Sequence, residues 1–174
     1  MSFVRLQIRA AATAFILFGC ASLLLFLLVR GVGNVAAALP LPRALPAYSP
    51  NDTIGAVLDL RALVALASGM LLAVAFVLIV RSAFLDRAVY MLVSMLTLVL
   101  ASSIGVVAGF GAYWFITEGR VLVPPGVVPA AIAFAVMLTI SLASLDGLRR
   151  SLLLRMVLVP VLAIGAPVLL MYGS

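Results

Sequence analysis

Several residue types on which protein chemistry depends are missing or scarce in this sequence. It contains no histidine and a single cysteine, Cys20, among 174 residues. Without histidine there is no imidazole to ligate haem iron or zinc, or to serve as the base of a Ser-His-Asp triad. One cysteine forms neither an internal disulfide nor a four-cysteine zinc site. We therefore expect no metal site and no bound cofactor.

Charged residues are also scarce. They make up 9% of the chain, against about 25% in a typical soluble domain. Hydrophobic residues make up 67%, too many for a soluble fold of this size, whereas a lipid environment needs no polar surface. The basic residues are all arginine, and an Arg-only chain rich in Ala, Val and Leu is typical of a high-GC bacterial genome. We expect an all-α integral membrane protein in the bacterial inner (cytoplasmic) membrane.

Five apolar runs divide the chain. A membrane-spanning helix needs about 20 apolar residues, and the runs cover residues 10–29, 62–80, 88–116, 127–145 and 154–172. The third run is longer than one crossing requires, so its helix is expected to tilt or to extend beyond the bilayer. The sequence predicts one transmembrane domain over residues 1–174, a five-transmembrane-helix bundle with an outer loop at 31–61.

The distribution of arginine predicts the orientation, because short cytoplasmic loops carry an excess of positive charge. With the N-terminus inside, seven arginines lie on the cytoplasmic side and four outside. The bundle is therefore expected to be N-in and C-out, with Tyr113 and Trp114 at its outer boundary. Because the arginines flank apolar runs and do not cluster on one polar face, we expect no nucleic-acid partner.

The first run also resembles two kinds of cleaved leader. Cys20 could be the lipidated cysteine of a lipoprotein signal, and residues 35–38 resemble a signal-peptidase site. Against these interpretations, nine further uncharged residues follow Cys20, all but Ser22 apolar, and Arg30 interrupts the approach to residues 35–38. We expect the first helix to be retained. In the outer loop, Ser49 to Asp52 predicts a helix start that either lies on the surface or continues into the second span.

Small residues recur at every fourth position on three of the predicted helices. This spacing places them on one face of each helix, where backbones approach closely in lipid. Two interpretations remain open, packing within the bundle and docking of a partner subunit. The candidate packing or docking residues are Ala65, Gly69 and Ala73 on the second helix, Ala101, Gly105 and Gly109 on the third, and Ala131 and Ala135 on the fourth.

Hydroxyl groups on the third and fourth helices form a candidate polar path. Ser102, Ser103 and Thr139 could line it, although such hydroxyls more often bond to their own helix or to a neighbouring one. Pro160 and Pro167 in the fifth helix indicate either a hinge or a simple kink.

Charged residues near the predicted span ends form a candidate outer polar cluster. Asp59, Arg61, Glu118 and Arg120 could meet there around a solute or headgroup, or could simply be solvated boundary pairs. No ionisable residue lies well inside a span, which disfavours proton-coupled transport. No P-loop, nucleophile–base pair or converging carboxylates mark a catalytic site.

These patterns favour a non-catalytic multi-pass subunit or accessory protein of a larger inner-membrane assembly. Its expected partners are the lipid bilayer and either another membrane subunit or further copies of itself. A small-solute transporter or channel component is the first alternative, which would require a polar-lined cavity at mid-membrane depth. An intramembrane enzyme, which would require converging carboxylates, is the least favoured alternative.

Overall fold

The computed structural model describes residues 3–38, 60–80, 82–121, 123–124, 126–143 and 151–173. These residues form α-helices and no strands, which confirms the predicted all-α class. The helices are α1 (Phe3–Ala38), α2 (Leu60–Ile79), α3 (Ala83–Glu118), α4 (Val127–Leu142) and α5 (Leu152–Gly173). Four of them, α1, α2, α3 and α5, are long and apolar enough to cross a membrane.

Several helices begin or end at residues other than the bounds of the predicted spans. Both α1 and α3 have 36 residues, or about 54 Å at the rise of an α-helix. In contrast, α4 has only 16 residues, or about 24 Å, which is less than the roughly 30 Å hydrocarbon core of a bilayer. It ends at Leu142, within the predicted run 127–145, because the backbone of Ala143 is extended (φ −79°, ψ 131°). The helix start predicted at Ser49 lies outside the described residues.

Contacts between the helices establish their relative directions. Gln7 and Ser22 of α1 bond to Ser94 and Val106 of α3, in the same order along both helices, so α1 and α3 are parallel. Tyr90, near the start of α3, bonds to the carbonyl of Ser141 near the end of α4, so these two helices are antiparallel.

The start of α2 lies beside the start of α4. Leu60 is in contact range of the position that a Cβ on Gly126 would occupy, at 3.4 Å. Helices α2 and α4 therefore begin at the end of the bundle where α3 finishes. Successive helices from α1 to α4 thus alternate in direction.

The main core lies among α2, α3, α4 and α5. Its largest fully buried side chains include Leu78, Leu100 and Met137, one from each of the first three of these helices. The most extensive packing within it joins α2 to α5 and α3 to α4, whereas α4 and α5 touch only briefly. Helix α1 lies outside this group and packs along α3.

Helix α1 reaches α3 through contact between backbones. A Cβ placed on Gly105 would collide with the backbone of Phe15, and one placed on Gly109 would collide with the carbonyl of Gly19 and the hydroxyl of Ser22. A Cβ on Gly19 would lie 3.2 Å from the carbonyl oxygen of Gly105. Glycine is therefore required on α3 for this approach, which is how helices gain van der Waals contact in lipid.

Two glycines with positive φ shape the connection from α3 to α4. Gly119 (φ 66°) ends α3, and its N–H donates to the carbonyl of Phe115 at 3.0 Å. Gly126 (φ 87°) precedes α4. Both backbone conformations are strained for residues with a Cβ, so these two positions favour glycine.

Gly105→Ala should weaken the attachment of α1 to α3. The methyl group improves helix propensity by up to about 1 kcal/mol, but it enters rigid backbone, and overpacking of this kind costs about 1–3 kcal/mol. We expect a lower free energy of unfolding, measured by SDS titration and circular dichroism.

Gly31→Ala is the matched control, because a Cβ at Gly31 meets nothing within 4 Å. It should unfold at the same SDS fraction as the unmodified chain or later. Equal stability of the two variants would contradict the assigned backbone contact.

Candidate functional site

The predicted small-residue faces lie in different surroundings. Ala101, Gly105 and Gly109 are buried, and the two glycines form the contact with α1 described above. The α3 face is thus occupied within the chain itself.

The faces on α2 and α4 point out of the bundle. Ala65 and Gly69 on α2 and Ala131 and Ala135 on α4 are exposed, while Ala73 is half-buried against the core. A Cβ on Gly69 would meet nothing within 4 Å. We refer to Ala65 and Gly69 as the α2 face and to Ala131 and Ala135 as the α4 face. Both are open to the surroundings of the chain.

Each hydroxyl of the candidate polar path bonds to its own helix. Ser102 donates to the carbonyl of Leu98 at 2.9 Å, and Ser103 to that of Val99 at 2.8 Å. Thr139 donates to the carbonyl of Ala135 at 2.8 Å. Ser103 is buried and Thr139 is exposed, so these two side chains lie in different environments. The hydroxyl groups of Ser102, Ser103 and Thr139 thus already donate their protons to backbone carbonyls.

The described part of the candidate outer cluster is solvent- or lipid-accessible. Arg61 lies in the first turn of α2, Glu118 ends α3 and Arg120 follows it, and all three side chains are exposed. Asp59 lies outside the described residues. Because α2 begins at the end of the bundle where α3 finishes, these charges share that end.

A polar cluster that no sequence motif indicates joins α1, α3 and α4. Gln7 of α1 donates through Nε2 to the Ser94 hydroxyl at 3.0 Å. The Tyr90 hydroxyl shares hydrogen bonds with both side chains and lies 3.3 Å from the carbonyl oxygen of Ser141. In the sequence, the one indication of this cluster is Gln7, the only glutamine of the chain, which lies at the edge of an apolar run. We call these four residues the polar cluster.

Ser22 makes a second polar contact between α1 and α3. Its hydroxyl lies 3.0 Å from the carbonyl oxygen of Gly19 and 3.2 Å from that of Val106 on α3. The side chain is buried. Hydrogen bonds between helices stabilise association in lipid, typically by about 0.6 kcal/mol.

Aromatic rings extend the same interface towards the C-terminal end of α3. Phe26 of α1 packs edge-on against Phe110 at 5.4 Å between ring centroids and contacts Tyr113 at 5.6 Å. Trp114 packs against Phe110 and Tyr113, each at 6.2 Å. Tyr113 is buried, so its ring packs in the α1–α3 interface. Among the described residues, the indole N–H of Trp114 has no hydrogen-bond partner.

An apolar cleft of about 630 Å³ separates α4 from α5. Val128, Ile132 and Val136 form one wall. Val161, Gly165 and Val168 line the opposite wall, and Leu71 of α2 also contributes. None of the candidate polar-path residues lines it. We refer to this space as the α4–α5 cleft.

Comparisons with known protein families, with curated proteins and with solved structures find no match to this chain. Within the described residues, no three His, Cys, Asp or Glu side chains lie together in a way that could hold a metal ion. The candidate sites are therefore surfaces and a cleft: the α2 face, the α4 face and the α4–α5 cleft.

Tyr90→Phe should loosen the polar cluster without changing its shape. Loss of the hydroxyl removes the contact with the Ser141 carbonyl and leaves Gln7 and Ser94 with one partner fewer, at a cost of about 0.5–1.5 kcal/mol. SDS titration followed by circular dichroism measures the change in the free energy of unfolding.

Tyr113→Phe is the control, because its hydroxyl makes no hydrogen bond with any described residue. It should destabilise the chain less than Tyr90→Phe does. If the two variants unfold together, the polar cluster does not stabilise the bundle.

Proposed function

We propose that this chain is a non-catalytic, multi-pass subunit or accessory protein of a larger membrane assembly. The observation that carries the proposal is the exposure of the α2 face and the α4 face. Small residues at every fourth position of a helix allow another helix to approach closely in lipid. The equivalent face on α3 makes such a contact with α1, and the other two are left open.

The length of α4 supports the same proposal. A helix of about 24 Å is shorter than the hydrocarbon core, and such a mismatch is relieved by bilayer thinning or by association with other helices. The α4 face lies on this helix. A partner helix packed against the α4 face would cover a helix that is shorter than the hydrocarbon core of the bilayer.

The use of the hydroxyl groups favours a subunit over a transporter. Ser102, Ser103 and Thr139 all donate to carbonyls of their own helices. Solute pathways without ionisable residues depend on hydroxyls and carbonyls that are free to bind the solute. The α4–α5 cleft is lined by apolar residues and contains none of these three.

For the location, we propose the bacterial inner membrane, with five crossings and the N-terminus in the cytoplasm. The excess of arginine on the side assigned to the cytoplasm supports this orientation. The alternating directions of α1 to α4 are compatible with a crossing by each helix.

Gly69→Leu should displace a partner from the α2 face. A Cβ at Gly69 has open space within the chain, so a leucine there leaves the bundle itself unstrained. We expect the tagged native protein, isolated in mild detergent, to carry a stoichiometric membrane partner or further copies of itself on a native gel. Gly69→Leu should reduce the amount of that complex, with the partner identified by mass spectrometry.

Gly31→Leu is the control, because it adds the same side chain at an open, exposed site on α1. It should leave the complex intact. A native protein that runs as a lone monomer in detergent and in lipid nanodiscs would overturn the subunit proposal. Solute-flux assays on Ser102 and Thr139 variants would then test the transporter alternative.

A further inference from the structure

The α4–α5 cleft lies within the apolar part of the bundle. On α5 it extends from Val161 to Leu169, eight residues further along the helix, or about 12 Å. On α4 it extends from Val128 to Val136. One leaflet of a bilayer has a hydrocarbon depth of about 15 Å. The cleft therefore has nearly the length of one leaflet's hydrocarbon layer.

The chemistry of the lining restricts what occupies the cleft. The walls are formed by aliphatic side chains together with Gly165 and Pro129. Water needs two to four polar partners in a buried site, and these side chains offer none. Val128 and Val161 in the walls are exposed, so the cleft of about 630 Å³ opens to the surroundings of the chain. In a membrane its apolar walls favour hydrocarbon over water.

Two kinds of hydrocarbon surface exist at this depth, another helix and a lipid tail. A helix with its side chains is about 10–12 Å across, and in lipid the closest approach of helix backbones occurs over small residues. Among the described residues that line the cleft, Gly165 is the only small one, and the walls are otherwise branched or bulky: Val128, Ile132, Val161 and Val168. Walls of large aliphatic side chains attract the surface of a helix no more strongly than they attract lipid tails. The small residues Ala131 and Ala135 on α4 are absent from the cleft lining.

The geometry points to a binding site for one acyl tail of a membrane phospholipid in the α4–α5 cleft. A flexible tail adapts to walls of unequal side chains, and the cleft is long enough to hold most of its length. The tail would fill the space between α4 and α5, which otherwise touch only briefly. The site is independent of the α2 face, and it does not depend on the proposed role as a subunit.

Gly165→Leu tests this site by filling the cleft from one wall. A Cβ at Gly165 meets nothing within 4 Å, and leucine has a better helix propensity than glycine, so the variant should fold. The chain is reconstituted into vesicles of phosphatidylethanolamine and phosphatidylglycerol, extracted in mild detergent and examined by native mass spectrometry. The unmodified chain should retain one phospholipid, and the corresponding mass should be lost in Gly165→Leu.

A second variant fills the cleft from the opposite wall. Ile132 on α4 lines the cleft and is 50% exposed, so Ile132→Phe adds volume at an open position of this wall and should also lose the lipid. Gly31→Leu, at an open site away from the cleft, should keep it. Circular dichroism of each variant establishes that it is folded.

Electron paramagnetic resonance provides an independent measurement in the bilayer. Phosphatidylglycerol spin-labelled near the end of one acyl chain should show an immobilised component with the unmodified chain and with Gly31→Leu. That component should be reduced in Gly165→Leu and Ile132→Phe. Retention of no lipid by the unmodified chain, equal retention by all variants, or replacement of the phospholipid by a protein partner or an isoprenoid lipid would each overturn the assignment. The pull-down of Gly69→Leu tests a different surface, the α2 face, so its outcome is independent of these lipid measurements.

Discussion

The contact between the backbones of α1 and α3 is the constraint that attaches α1 to the rest of the bundle. In lipid, apolar side chains gain little by leaving their surroundings, so close packing and interhelical hydrogen bonds hold helices together. Gly105 and Gly109 remove the side chains that would separate the two helices. Ser22 adds a hydrogen bond at the same level, and Phe26 adds aromatic contacts towards the C-terminal end. Packing, polar and aromatic contacts thus occur along one parallel pair.

The other helices form the main core beside this pair. Helix α1 covers α3 from outside, α2 packs against α5, and α4 packs against α3. The short α4 is left with limited contact to α5, and the α4–α5 cleft opens between them. Among the described residues, the side chains of the α2 face and the α4 face are exposed. The internal packing of the described helices therefore does not use these two surfaces.

Polar groups are used sparingly and locally in this structure. The buried hydroxyls of Ser68, Thr97 and Ser103 each donate to a carbonyl four residues earlier, which satisfies a donor that lipid cannot satisfy. The polar cluster around Gln7 and Tyr90 instead connects three helices. These hydroxyl groups are therefore used in contacts within the bundle, and the exposed surfaces are apolar or carry small residues.

The sequence by itself determined the all-α class and the approximate position of each helix, because long apolar runs with few charges have helix as their stable form in lipid. It also determined where small residues share a face, since that follows from helical periodicity. It did not distinguish Gly105 from Gly69: both lie in sets of small residues at fourfold spacing, yet one is buried against α1 and the other is open. The cleft and the polar cluster were equally undetermined, because Gln7 and Ser94, or Ile132 and Gly165, are distant in the chain. Only the tertiary structure decided these contacts. The residues that share a helix face follow from the sequence of that one helix, whereas the helix that packs against the face depends on how all five helices pack together.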